Sequence, residues 1–269
     1  MRNKVITAVL VLVFLISVLG TVSAAELKGE EIMKKVYNRE TGDSRTSNLE
    51  MILINRHGAE RIREIKQYEK DFGDAEKKIM FFISPADVRN TSFMNWSYDS
   101  KQSDDQWIFL PALNKVKRIS SENKSEYFMG SDFTYDDMKS REIDDFEYEL
   151  LEEDVYNNYE TYVVKATPKK PEEEQYAKTI SWITKEHYIP VKVEMYDKDS
   201  GELYKEMKVK SDIKKIDGIW TVFSTVMENL DSGHKTNLYV KKRDNNYLLE
   251  YNSDINNRRF TQQFLKTGR

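Results

Sequence analysis

Few residues in this sequence combine a reactive type with a spacing that does chemistry. The three histidines, His57, His187 and His234, share no metal-ligand spacing such as His-x-x-x-His. Each sits in or beside a turn signal: Arg56-His57-Gly58, Lys185-Glu186-His187-Tyr188 and Gly233-His234. Histidine tolerates the left-handed backbone of such turns, so all three read as turn residues. Asp132, Asp136 and Asp137 cluster, with Glu142, Asp144 and Asp145 just downstream. Their spacing is not that of a calcium loop, and Asp137 falls where a carboxylate caps Thr134 at the start of a short helix. A hydrolase built on two carboxylates stays open, because their separation is a spatial quantity. There is no nucleophile elbow, phosphate loop or dinucleotide fingerprint. No catalytic residue, metal ligand or cofactor is assigned on these grounds.

Two other groups carry more information. Aromatic and methionine side chains crowd the middle third: Phe93, Met94, Trp96, Trp107, Phe109, Phe128, Met129, Phe133 and Met138. They read either as ordinary sheet core, which composition favours, or as an apolar cavity whose flexible and flat side chains repack around acyl chains. The main basic cluster is Lys115, Lys117 and Arg118. It reads either as a solvated strand edge guarded by lysine or as a docking site for an acidic partner or a lipid phosphate.

The elements that must position these residues are mostly strands. Gly29 to Glu40 reads as a helix, with Ile32, Met33, Val36 and Tyr37 on one face. Period-two patterning then takes over: Leu49, Met51 and Leu53, then Arg61 to Tyr68, then Ile79, Phe81 and Ile83. Further strands are expected at 92–98 and 106–110, and the second half alternates from Tyr162 through Val240. Asp199-Ser200-Gly201, Asp217-Gly218 and Asp231-Ser232-Gly233 supply the turns. The pattern predicts an antiparallel meander. It is interrupted by a short helix from Thr134 through Arg141 and closed by a helical turn or two at Phe260 and Phe264.

Composition bounds the class. Hydrophobic residues make up 39% of 269 residues and charged residues 33%, a globular balance, and there is no cysteine. That excludes disulfides, thiolate sites and a lipid attached through cysteine. Arg2 and Lys4, the apolar run from Val5 to Leu19, and Val22-Ser23-Ala24 form the pattern of a cleaved secretory signal over residues 1–24. Residues 25–269 are then expected as a single exported domain. The formal net charge of −4 argues against nucleic acid as a partner.

The stretch Trp107-Ile-Phe-Leu-Pro-Ala-Leu-Asn-Lys-Val-Lys-Arg-Ile119, followed by Phe128-Met-Gly-Ser-Asp-Phe-Thr-Tyr-Asp-Asp137, resembles the outer-membrane lipoprotein-sorting family. Its members are similar to the lipoprotein carrier LolA. Asp87 to Phe93, Trp182 to Lys185 and Ile189-Pro190 also fit, although Asn90 stands where a glycine is usual. The resemblance implies a mainly β fold: a strongly curved, unclosed antiparallel half-barrel with a few short helices covering its concave face. It implies a periplasmic, non-enzymatic carrier of a lipid, of lipoprotein acyl chains or of another hydrophobic ligand. Members of this branch are linked with RND/MMPL-type membrane transporters, so a transporter partner and only transient membrane contact are implied. On this footing Phe93, Trp96, Trp107, Phe109, Phe128, Met129 and Phe133 are the expected ligand lining. Lys115, Lys117 and Arg118 are expected to dock a partner, and Asp132, Asp136 and Asp137 to hold a lid or share in the docking. Gly130-Ser131-Asp132 is expected as the lid hinge. A ligand-free adaptor of an envelope transporter is the alternative.

Overall fold

In the computed structural model, residues 28–99, 102–139 and 141–268 are described. The expected signal segment lies outside them. After the helix Gly29–Tyr37 (α1), the strands in chain order are Ser44–Ile54 (β1), Glu60–Asp71 (β2), Ala75–Ser84 (β3), Ser92–Tyr98 (β4), Asp105–Leu110 (β5) and Lys115–Arg118 (β6). The second half holds Phe146–Tyr156 (β7), Tyr159–Pro168 (β8), Tyr176–Thr184 (β9), Pro190–Asp197 (β10), Leu203–Val209 (β11), Lys214–Ile216 (β12) and Ile219–Thr221 (β13). It ends with Ser224–Asn229 (β14), His234–Val240 (β15), Lys242–Arg243 (β16), Asn246–Tyr247 (β17), Leu249–Tyr251 (β18) and the helix Gln262–Thr267 (α2).

One large sheet runs β6-β5-β4-β3-β2-β1-β15-β14-β11-β10-β9-β8-β7, with β18 added beside β1. Its pairings are antiparallel, and β6 does not pair with β7, so the sheet is a mainly β, unclosed half-barrel. Each half is a meander, and β1 and β15 join the halves, with Leu49 opposite Val240 and Leu53 opposite Thr236. The turn at Asn90 has φ 66°, the left-handed conformation that asparagine shares with glycine.

This order has a topological consequence. The chain leaves β6 at one free edge and must begin β7 at the other. Residues 119–139 and 141–145 therefore cross the open side of the half-barrel. They do so in 3-10 turns at Ser121–Asn123, Phe128–Gly130, Asp136–Met138 and Ile143–Asp145. The expected helix through Arg141 shrinks to the turn Asp136–Met138.

The two helices take opposite faces. α1 carries Ile32, Met33 and Val36 onto Val164 and Ile183 on the inner face. It docks so closely that a Cβ on Gly29 would stand 2.9 Å from the Leu150 backbone nitrogen. α2 instead covers the outer face, where Phe260, Phe264 and Leu265 pack on Ile79, Met94, Trp107 and Phe109. Among the described residues, no helix is long and apolar enough to cross a membrane.

Candidate functional site

The crossing segment meets the inner face through a small loop. The Phe128 amide donates to the Phe133 carbonyl at 2.7 Å, and Tyr127 bridges to Thr134. Met129 and Gly130 turn the loop with φ of 52° and 71°. The sequence's capping pattern is realised just beyond it. The Asp137 amide donates to Thr134 Oγ1 at 3.1 Å, and the Thr134 amide donates to Asp137 Oδ2 at 2.8 Å. This reciprocal pair satisfies two backbone donors. Phe128 is fully buried, with its centroid 5.0 Å from Phe93, 5.7 Å from Tyr135 and 6.0 Å from Phe82.

Polar contacts fasten the segment to the sheet. Asp132, buried, accepts from Thr236 Oγ1 at 2.7 Å and lies 2.7 Å from His234 Nδ1, while its amide donates to Thr236. Asp136 pairs with Lys139 at 3.0 Å, and Lys139 reaches Glu174 at 2.9 Å. Burial pulls the Lys139 ammonium down, but the two carboxylates outweigh it and leave its pKa raised. Tyr176 donates its hydroxyl to Asp137 at 3.0 Å, and burial with that carboxylate holds the phenol well above its ordinary pKa. Arg63 donates from the inner face of β2 to the Met129 carbonyl.

Gly130-Ser131-Asp132 is thus an anchored turn rather than the expected hinge. Ser131 Oγ donates to the Phe128 carbonyl at 2.7 Å, and Asp132 is tied to β15. His234 is likewise more than a turn residue, because it opens β15 and holds Asp132. His187 is buried with its ring stacked 3.9 Å from Trp220. His57 stays in an exposed turn.

Between the crossing segment and the sheet lie two cavities. The first, about 260 Å³, is floored by β1, β2 and β3 and includes Leu49, Met51, Ile65 and Met80. The second, about 340 Å³, lies against β8 to β11, with Met33, Phe146, Val193, Met195, Met207 and Met227 in its wall. Phe133 and Asp137 line both, so the crossing segment is their partition. Lys139 and Arg141 add positive charge to the second.

The expected lining residues divide by face. Phe128 and Phe133 line the cavities. Phe93, fully buried beneath Phe128, and Met129 pack in the same inner cluster. Trp96, Trp107 and Phe109 do not belong to the lining. Register puts Trp107 opposite Met94 and Phe109 opposite Ser92, on the outer face, where all three rings pack with Phe260, Phe264 and Leu265. Lys115, Lys117 and Arg118 stand exposed on the free edge β6, and Arg118 pairs with Asp105.

Sequence reasoning missed the charged residues of the inner face. Lys205 of β11 is fully buried, with the rings of Tyr127 and Tyr204 at 4.9 and 5.1 Å from its Nζ. Burial lowers its pKa against the pull of Asp137 and Asp132. A second group, Arg45, Glu69 and Lys78, sits at one end of the first cavity. The signal was present: each lysine, arginine or glutamate stands at the apolar parity of its strand. Among the described residues, no group of side chains has the makings of a metal site.

A family model described as "Uncharacterized protein" matches residues 74–267. No curated protein matches the chain. Three solved structures are similar along most of their length. A domain assigned to outer membrane lipoprotein sorting from Vibrio parahaemolyticus is 33% identical, with a TM-score of 0.79 over 88% of this chain and 98% of that one. A DUF1329 family protein from Desulfovibrio piger is 30% identical, with a TM-score of 0.80 over 88% of this chain and 97% of that one. A LolA superfamily protein from Nitrosomonas europaea, at 20% identity and a TM-score of 0.66 over 89% of this chain and all of that one, shares the fold.

Proposed function

The chain belongs to the DUF1329 family of LolA-like, outer-membrane lipoprotein-sorting proteins, and from that premise we propose that it is an exported, periplasmic carrier of a hydrophobic ligand. One observation carries the reading: a crossing segment held by polar contacts roofs two chambers with largely apolar walls on the inner face of an open sheet. Each methylene moved from water into such a chamber contributes about 0.8 kcal/mol. A wall of leucine, isoleucine and methionine supplies that gain without demanding one ligand shape. A sheet that served only as an adaptor would gain nothing from leaving this face unfilled. The three carboxylates Asp132, Asp136 and Asp137 are engaged in fastening the roof, a role that competes with acid–base chemistry.

Ligand exchange on this reading requires the crossing segment to lift. Its anchors on β15, β9 and β2 then set the release rate. The basic free edge β6, with Lys115 and Lys117, is the surface offered to an acidic partner, for which an RND/MMPL-type transporter is the proposed class. Lipid or lipidated protein is the proposed cargo.

The test is native purification of the full exported chain, lipid extraction and mass spectrometry, joined to titration with a fluorescent acyl probe. A stoichiometric lipid, or saturable probe binding, is the expected result. Protein that is consistently empty and ignores acyl probes would overturn the reading.

A further inference from the structure

The inner face changes character along its strands. On β1 the parity of Leu53, Met51 and Leu49 continues into Ser47 and Arg45. Register sets Ser47 opposite Gln67 and Arg45 opposite Glu69 on β2, and Glu69 opposite Lys78 on β3. The first cavity is therefore apolar at one end and polar at the other, and all five of these residues line it.

The polar end carries a surplus of donors. Glu69 accepts from Arg45 at 2.5 Å, from Lys78 at 3.1 Å and from Gln67 at 2.8 Å. Two cations thus share one carboxylate. Tyr251 adds a side-chain hydrogen bond to the Arg45 guanidinium, and farther out Arg39 and the exposed Glu76 act on Arg45 with opposite signs. One positive charge is left over. Arg45 Nε and Ser47 Oγ are buried and have no hydrogen-bond partner, and Ser47 as a whole is 2% exposed. A buried donor left unpaired costs about 1–3 kcal/mol. Two of them, one residue apart along the face and beside unbalanced positive charge, fit an anionic acceptor.

We propose that Arg45 and Ser47 form a headgroup subsite for an amphiphile bearing a single negative charge, a carboxylate or a phosphate, whose acyl chain lies along Leu49, Ile65 and Met51. This rests on the carrier reading above and names its ligand class. The dimensions agree: from Arg45 to Met51, β1 extends roughly 20 Å at the rise of a strand. One leaflet of a bilayer's hydrocarbon core is about 15 Å deep. The remaining length accommodates the headgroup.

The experiment compares palmitate, palmitoyl lysophosphatidylglycerol and hexadecanol as competitors of a fluorescent fatty acid on the full exported chain, the two anions each carrying one negative charge at neutral pH. Either anion is expected to bind about tenfold or more tightly than hexadecanol, as a charge-assisted hydrogen bond in a buried site provides. Which anion wins identifies carboxylate or phosphate as the natural headgroup. Arg45→Met keeps the bulk of the side chain and is expected to abolish the anion's advantage while leaving hexadecanol unchanged. Ser47→Ala leaves the Arg45–Glu69–Lys78 contacts intact and is expected to lower anion affinity about threefold or more, so the proposal stays testable if Arg45→Met fails to fold. Equal binding of anions and hexadecanol, or a preference that survives both substitutions, would overturn the headgroup subsite and leave the carrier reading standing. Failure of all three competitors and of the probe to bind would overturn both.

Discussion

The strands β3 to β5 bury aromatic side chains on both faces, and the two faces behave differently. On the inner face, Phe82, Phe93 and Ile108 lie under Phe128 and Tyr135. On the outer face, Ile79, Met94, Trp107 and Phe109 lie under Phe260, Phe264 and Leu265. The rings are similar in type and in burial. What differs is the cover. Rings meet rings under both, Phe81 on Phe264 at 5.7 Å and Phe72 on Phe260 at 5.5 Å outside, Phe93 on Phe128 at 5.0 Å inside. The inner cover stands partly off the sheet, fixed by a few polar contacts around its rim, and leaves two chambers beneath it. Apolar content therefore does not mark a binding face; the way the face is roofed does.

Substitutions separate the two faces, and the largest effect is expected outside. Phe260→Ala or Leu265→Ala removes a fully buried side chain from the outer cluster and is expected to cost about 3–5 kcal/mol of stability. Urea denaturation measures it. Probe affinity per folded molecule should stay unchanged; a parallel loss of affinity would mean that the outer face takes part in binding. Filling the first chamber gives the reverse pattern. Leu49→Trp or Met80→Trp places bulk where several methylenes of ligand would lie, so acyl-probe affinity should fall about a hundredfold. Stability should change by no more than about 1–3 kcal/mol. Probe titration and denaturation on the same sample check both halves.

A smaller effect is expected at the roof. Arg63→Met keeps the packing against Phe82 but removes the hydrogen bond to the Met129 carbonyl. A charged hydrogen bond is worth about 2 kcal/mol, so stopped-flow ligand release should accelerate by about thirtyfold, with equilibrium affinity changing less. Unchanged release would remove Arg63 from the set of contacts that hold the roof. Gly130→Pro is a poor instrument for the same question, because proline fixes φ near −65° and Gly130 sits at 71°.

The contrast between the faces also explains what the sequence could and could not reveal. Strand positions follow from alternation, as at Leu49, Met51 and Leu53, because one face of β1 is buried and the other partly solvated. The Thr134–Asp137 cap was readable because both partners lie within one turn of chain. The failure came where Ser92 to Trp96 is buried on both faces, with large apolar side chains on each. There a period of two assigns no inside, and only the distant α2 decides that Met94 and Trp96 are outer residues. Lys205 was readable in principle, standing in phase with Met207 and Val209. The same holds for Arg45, Glu69 and Lys78, which continue the inward parity of Leu49, Ile65 and Met80. A charge in phase with a buried stripe is a stronger pointer to a site than the number of aromatics near it.

The smallest expected effect is a pH dependence confined to the inner face. Burial pulls the Glu69 carboxyl upward, but Arg45 and Lys78 outweigh it and hold its pKa below the ordinary 4.5. A carboxyl depressed in this way adds stability that is fully present above its unfolded value. That contribution is lost as the pH falls through the lower folded value. Protonation then leaves Arg45 and Lys78 facing each other without their shared counter-charge, at the polar end of the first chamber. The charged groups packed against the rings of the outer cluster are Arg259 over Phe264 and Lys77 over Phe72 and Trp96, cations that keep their charge in acid, so acid should not loosen α2 in the same step. Hydrogen exchange followed from pH 6 down through about 4 should therefore show β1 and β2 losing protection before α2 does. Glu69→Gln should remove the pH-dependent part of that difference and retain a constant deficit at neutral pH. If the strands and α2 lose protection together in both proteins, the ion pairs of Glu69 do not distinguish the two faces.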